Sequence, residues 1–172
     1  MPWMRAALPE PATTYKGPLY RALNPIWARD PLSGEGARRY GGRCNVKGRA
    51  ALYTAMSVLG AVAEANQIGR PFEPVTLVCY DADLTGIFDA TNPGHLAAQG
   101  MGAADFAADD WRLQMLQTGR STGQERAEAL IAAGYTGLIL PSFARGVAAG
   151  TRNLVLWQWR GLRVIDSEGR LQ

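Results

Sequence analysis

Arg43, Tyr53 and Glu64 lie ten and eleven residues apart in a chain with few other side chains suited to chemistry. The only histidine, His95, sits in NPGHLAAQG, so a catalytic triad would have to be built on it alone. Ser142 lies in LPSFA rather than in a G-x-S-x-G elbow, which argues against a serine hydrolase. Neither G-x-G-x-x-G nor G-x-x-x-x-G-K-[ST] occurs, which removes the commonest nucleotide folds. Cys44 and Cys79 have no C-x-x-C partner or neighbouring histidine cluster, so they read as free thiols and no metal site is expected. Arginines, carboxylates, tyrosines and hydroxyls remain.

The arginines converge on RRYGGRCN, residues 38 to 45. Read alone, it is either a solvated surface turn, because Gly-Gly marks turns, or an anion cradle. In a cradle the glycines let the backbone approach a phosphate and arginine grips it with a planar fork. Arg38 and Arg39 are surface charge or supplementary phosphate contacts. Glu64, in VLGAVAEANQIG, has Gly60, Ala61, Gln67 and Ile68 three and four residues away, so no cation on its own helix can pair with it. It is either an ordinary exposed glutamate or a carboxylate beside a helix face that leaves room for a ligand. Tyr53 is either a core tyrosine with its hydroxyl at the edge or a pocket wall.

Cleavage of the N-glycosidic bond of NAD+ would use an arginine, a tyrosine and a carboxylate without metal or histidine. Nicotinamide departs neutral and hardly needs an acid, while the ribose passes through an oxocarbenium-like state. Such a site must hold the pyrophosphate, fix the nicotinamide ring and place negative charge beside the developing cation. By analogy with glycoside hydrolysis, the carboxylate could also orient the 2′-hydroxyl or the incoming nucleophile.

The elements that would position these residues follow from periodicity. GPLYRAL (17 to 23) and RAALYTA (49 to 55) read as strands flanking a loop rich in Pro, Gly and Arg. From Ser57 to Ile68, Leu59, Val62 and Ala63 recur at helical spacing, with Ser57 as N-cap and Gly69 as terminator. Tyr53 then ends a strand and Glu64 rides the next helix, a loop–strand–helix unit able to turn all three residues toward one cleft. PVTLVCYDADL (74 to 84) is the best strand in the chain, and GIFDATNP pairs with it or turns away. Residues 93 to 118 read as helical. TGQERAEALIAAG (122 to 134) is a clearer helix with Gly134 as C-cap. YTGLILPS, NLVLWQW and GLRVID supply three more strands. Trp157 and Trp159 alternate along one of them and are expected to share a face, in the core or toward a partner. No repeat or linker divides the chain, so one α+β domain over residues 17–172 with an N-terminal arm at 1–16 is predicted.

The totals agree. A chain of 172 residues with 47% hydrophobic and 19% charged residues is an ordinary globular domain, with no apolar run approaching the roughly 20 residues needed to span a bilayer. Prolines at 2, 9, 11 and 18 interrupt the N-terminus, which does not resemble a signal peptide, so a cytoplasmic protein is expected. Sixteen arginines stand against Lys16 and Lys47. That ratio suits fixed recognition of phosphate or carboxylate, and high genomic GC content would produce the same bias.

YRAL at 20 to 23, GGRCN at 41 to 45, ALYTA at 51 to 55, AVAE at 61 to 64, LPS at 140 to 142 and NLVLW at 153 to 157 together resemble the RES-domain toxins of bacterial toxin–antitoxin modules. The resemblance spans about residues 17 to 160, with the pieces in the family's order. It implies a mixed-sheet, ADP-ribosyltransferase-like α+β fold that consumes NAD+, destroying it by hydrolysis or phosphorolysis or transferring ADP-ribose to a protein. It also implies a hetero-oligomer with an Xre-type helix-turn-helix antitoxin that covers the cleft. Carried onto matching positions, it gives Arg43 the NAD+ phosphates, Tyr53 the nicotinamide side and Glu64 the role of catalytic carboxylate. Arg21, Ser142 and Asn153 complete the pocket wall. Cys44 departs from the family pattern, standing where a tryptophan is usual, so the loop loses an aromatic anchor or simply repacks.

Two other classes compete. A nucleic-acid binder is suggested by a pI near 9.1, the arginine excess and five tryptophans, but no helix-turn-helix, RRM or zinc signature supports direct nucleic-acid contact. A catalytically silent interaction module would use the Trp-rich strand for docking.

Overall fold

A computed structural model describes residues 7–66 and 73–171. Six strands and six helices follow one another along it: β1 (Thr13–Leu23), α1 (Glu35–Tyr40), β2 (Leu52–Ala55), α2 (Val58–Ala65), β3 (Thr76–Asp89), α3 (Pro93–Ala98), α4 (Ala104–Ala107), α5 (Trp111–Thr118), α6 (Thr122–Ala132), β4 (Gly137–Pro141), β5 (Arg152–Leu156) and β6 (Leu162–Val164). The strands form one mixed sheet in the order β1-β2-β5-β4-β3-β6, with helices on its flanks, so the fold class is α+β.

A further pairing of β1 with β3 closes the first five strands into a ring. The 14-residue β3 makes this possible by pairing with both β1 and β4, besides β6 at the sheet's edge. Its first part runs antiparallel to β1, from Thr76 opposite Leu23 to Leu84 opposite Tyr15, while Ile87–Asp89 run parallel to Gly137–Ile139 of β4. Gly86, at φ +73°, lies between the two stretches, a backbone region that glycine enters without the Cβ clash of other residues. GIFDATNP therefore opens as the continuation of the strand before it, not as a separate one. β1 begins four residues before its predicted start.

Alternation along the central strands feeds two cores. Leu138 and Leu140 of β4 and Val155 of β5 face a cluster with Phe88, Phe106, Leu130, Tyr135 and Trp157, which α3, α4 and α6 cover. Ile139, Leu154 and Leu156 point the other way, into a cluster with Leu19, Leu52, Val78, Tyr80 and Leu162 inside the ring. Period-two alternation with apolar side chains on both faces is what a sheet buried on both sides requires, and each such leucine contributes about 2 kcal/mol. Trp157 joins the first core and Trp159 packs against the second. They do not share a face, because β5 ends at Leu156 and the Trp157 and Gln158 amides both donate to the Thr136 carbonyl, breaking the alternation.

Helix α2 begins where predicted: Ser57 is its N-cap and its hydroxyl accepts from the Gly60 amide at 3.1 Å. The helix ends at Ala65, and the predicted terminator Gly69 lies outside the described residues. Its buried residues are Gly60 and Ala61. A Cβ on Gly60 would come within 2.8 Å of Ser57 Oγ and 3.2 Å of Thr151 Cγ2. The small residues thus bring the helix against the sheet, and Glu64, one turn after Gly60, is carried on that face. The helical stretch predicted at 93 to 118 is three short helices, interrupted around Gly100 and Gly102 and again after Ala108. The loop before β2 contains α1, whose last turn carries Arg38 and Arg39, both paired with Glu35 at the surface.

Candidate active site

Residues 42–45 do not form a solvated turn. Cys44 and Asn45 are fully buried, and Gly42 and Asn45 bridge as a miniature antiparallel ladder. Asn45 Nδ2 donates to the carbonyls of Ala37 (2.8 Å) and Arg49 (2.9 Å). Gln124, buried at the start of α6, donates from Nε2 to the carbonyls of Gly42 (2.9 Å) and Asn45 (3.1 Å). The same Gln124 closes a capping box with Ser121, so the helix start and the loop share one anchor. Trp157 Nε1 donates to the Cys44 carbonyl at 2.9 Å, and Arg49 grips Glu128 of α6 with two nitrogens, at 2.5 and 3.0 Å. Cys44 therefore fills a packed site where an indole from β5's end holds the backbone. A side chain at Gly42 would sit 2.4 Å from the Tyr53 hydroxyl, so only glycine allows this approach.

Tyr53 is part of that anchor. Its hydroxyl donates to Asn45 Oδ1 at 2.5 Å and accepts from the Cys44 amide at 3.0 Å. Burial pushes the phenol well above its ordinary value, with the neighbouring Cys44 adding to the shift, which removes it as a base near neutral pH. Burial likewise pushes the Cys44 thiol up to about 12, against a smaller lowering by Arg43, so it is no thiolate nucleophile. The unfolded chain ionises this thiol from about pH 9, while the native state keeps the proton to about 12. Stability is therefore unaffected below about pH 9 and falls as pH rises toward 12, by up to roughly 1.4 kcal/mol per pH unit. Thermal unfolding followed between pH 8 and 10.5 should show this loss, and Cys44→Ala should make it shallower, the remainder coming from the buried tyrosines such as Tyr53. A slope unchanged by Cys44→Ala would contradict the assignment.

The anchored loop aims Arg43 into a broad open cleft. Its Nη1 donates to the carbonyls of Phe106 (2.9 Å) and Ala108 (2.8 Å), and the guanidinium lies 4.5 Å from the Phe143 ring centroid. Nε and Nη2 have no acceptor among the described residues, so half of the fork stays open for an anion. Arg21, on β1, lines the same cleft and donates to the Pro31 carbonyl at 3.0 Å.

At the other side of Phe143, three residues far apart in sequence meet. Glu64 Oε1 accepts from Ser142 Oγ and from Asn153 Nδ2, each at 2.7 Å. Asn153 reaches it from β5, the strand paired with β2, and Ser142 from the residue after β4. Asn153 Oδ1 is buried without a partner, a cost consistent with an amide turned to serve the carboxylate rather than its own balance of bonds. No cation pairs with Glu64 among the described residues, so its negative charge faces the cleft held by two neutral donors. Arg21, Arg43, Tyr53, Glu64, Ser142 and Asn153 thus all line one cleft of about 2050 Å³. That is larger than the roughly 300–1,000 Å³ of a drug-sized pocket and suits an extended ligand.

The RES domain family model matches residues 18–171. The chain belongs to the RES-domain family. That family is linked to toxins that act on NAD, and in this chain Glu64, Ser142 and Asn153 form one hydrogen-bonded cluster in the cleft that Arg43 also lines. No curated protein matches the chain. Among the described residues no helix is long and apolar enough to cross a membrane, and no group of three His, Cys, Asp or Glu residues could hold a metal ion. Sequence reasoning missed Gln124, Phe143 and the cleft residues of the α4–α5 turn. Only Gln124 had a readable signal, the S-x-x-Q capping box at 121–124.

Proposed function

We propose that this RES domain cleaves the nicotinamide–ribose bond of NAD+ and transfers ADP-ribose to a target protein, acting as a growth-inhibiting toxin. The observation that carries the reading is the Glu64–Ser142–Asn153 cluster beside the half-open Arg43 fork in one cleft. Arg43, with Arg21 nearby, binds the pyrophosphate and Tyr53 walls the nicotinamide side. Glu64 sits beside the anomeric carbon. The carbon–nitrogen bond breaks with its electron pair going to the pyridine nitrogen, which leaves neutral nicotinamide and a cationic ribose. The Glu64 carboxylate stabilises that charge. The acceptor's nucleophile then bonds to the anomeric carbon and releases its proton to solvent or to Glu64.

Glu64 is solvent-exposed in an open cleft, which also favours water or phosphate as acceptor and a toxin that depletes NAD+. Incubation of adenylate-labelled NAD+ with the protein, phosphate and a cell lysate separates the routes. Label on one protein supports transfer, whereas free ADP-ribose or its phosphate supports depletion. Nicotinamide left wholly on NAD+ contradicts both. An open cleft also needs a cover in the producing cell, a role suited to a cytoplasmic helix-turn-helix antitoxin of the Xre type. Leu59, 82% exposed at the rim, is an apolar contact for it.

Arg43→Lys keeps one charge but loses the fork and the stack on Phe143. The Kd for NAD+ should rise roughly tenfold by calorimetry. An unchanged Kd would remove Arg43 from the binding site.

A further inference from the structure

The cleft continues beyond Arg43, away from Glu64, into a stretch that the proposed chemistry leaves without a role. Contacts fix the order of its parts. Ser142 bonds Glu64, the adjacent Phe143 lies under the Arg43 guanidinium, and Arg43 Nη1 bonds the Phe106 and Ala108 carbonyls. Directly after those carbonyls come Asp109, Trp111 and Arg112, all lining the cleft together with Tyr40 from the end of α1. Arg43 therefore stands between the carboxylate and this second arm.

The arm is aromatic and cationic. Tyr40 is 69% exposed although large and apolar, and Trp111 is half-buried with the Arg112 guanidinium 4.4 Å from its ring centroid. Flat aromatic and guanidinium surfaces opening into a cleft are what a planar base stacks on. Exposed Asp109 adds an acceptor at the same place, suited to sugar hydroxyls.

We propose that this arm is the subsite for the adenosine half of a dinucleotide, with Trp111 as its stacking platform. The inference rests on the NAD+ reading for its polarity: with the scissile bond at Glu64 and the pyrophosphate on Arg43, the second nucleoside is directed past Arg43 onto the α4–α5 turn. Stacking of the adenine ring on Trp111 raises affinity for ligands that carry adenosine and gives nothing to those that lack it.

The test measures binding of ADP-ribose and of nicotinamide mononucleotide by calorimetry, with nicotinamide release from NAD+ followed in parallel. Trp111→Ala should weaken ADP-ribose about tenfold and narrow its preference over nicotinamide mononucleotide by the same factor. Trp111→Phe, which keeps a flat ring, should restore most of the loss. Equal ADP-ribose affinity in wild type and Trp111→Ala would overturn the subsite, as would a wild type that does not bind ADP-ribose. Trp111-dependent ADP-ribose binding without nicotinamide release would sustain the subsite and sink the proposed reaction instead.

Discussion

Glu64→Gln should lower nicotinamide release from NAD+ by about 10²–10³-fold while leaving the thermal midpoint within a degree or two. The substitution is close to a pure removal of charge. Oε1 survives as an amide oxygen and still accepts from Ser142 Oγ and Asn153 Nδ2, the two bonds that hold the side chain. Its position is exposed, so the fold does not depend on its ionisation. What disappears is the negative charge facing the anomeric carbon, an interaction that strengthens only as the ribose becomes cationic. Losing an interaction made in the transition state and not in the ground state lowers kcat and leaves KM largely in place. A variant that lost affinity for NAD+ but kept its turnover would point to Glu64 as a binding group only.

Tyr53→Phe should act in the opposite way, through stability. The hydroxyl closes a buried triangle with Asn45 Oδ1 and the Cys44 amide, and removing it strands both. Two unsatisfied buried groups cost about 2–4 kcal/mol, which in a domain of this size lowers Tm by roughly 5–10 °C. The phenylalanine ring keeps the wall of the cleft, so well below Tm the variant should retain turnover within about tenfold. A Tyr53→Phe variant with unchanged Tm and abolished turnover would show that the hydroxyl takes part in the reaction. The contrast between the two variants separates the residue that faces the substrate from the residue that holds the loop.

The roles of Tyr53 and Asn45 show where sequence reading stops. That Arg43, Tyr53 and Glu64 ride a loop–strand–helix unit was legible, because the 3.6-residue period begins at a Ser57 cap just after β-type sequence. The participation of Ser142 and Asn153 was accessible only through family resemblance, since their bonds to Glu64 span 78 and 89 residues and depend on β4 and β5 lying side by side. Loop rigidity was not legible. GGR suggests flexibility, yet the loop is held by Gln124, Trp157 and Glu128, all more than 75 residues away. The small residues around Glu64 suggest room for a ligand, and Gly60 and Ala61 do line the cleft; that they also bring the helix onto the sheet was not legible. Ring closure by β3 was hidden for a related reason. A glycine inside a strand reads as an end, and only the pairing of both halves shows it to be a bend.

The most direct test of the account is nicotinamide release from NAD+ by the purified wild-type protein, measured beside Glu64→Gln under identical conditions. Release by the wild type and a loss of at least about a hundredfold in the variant are expected, with both proteins unfolding at the same temperature. Equal release by the two, or release by neither with the fold intact, would contradict an NAD+-cleaving site centred on Glu64.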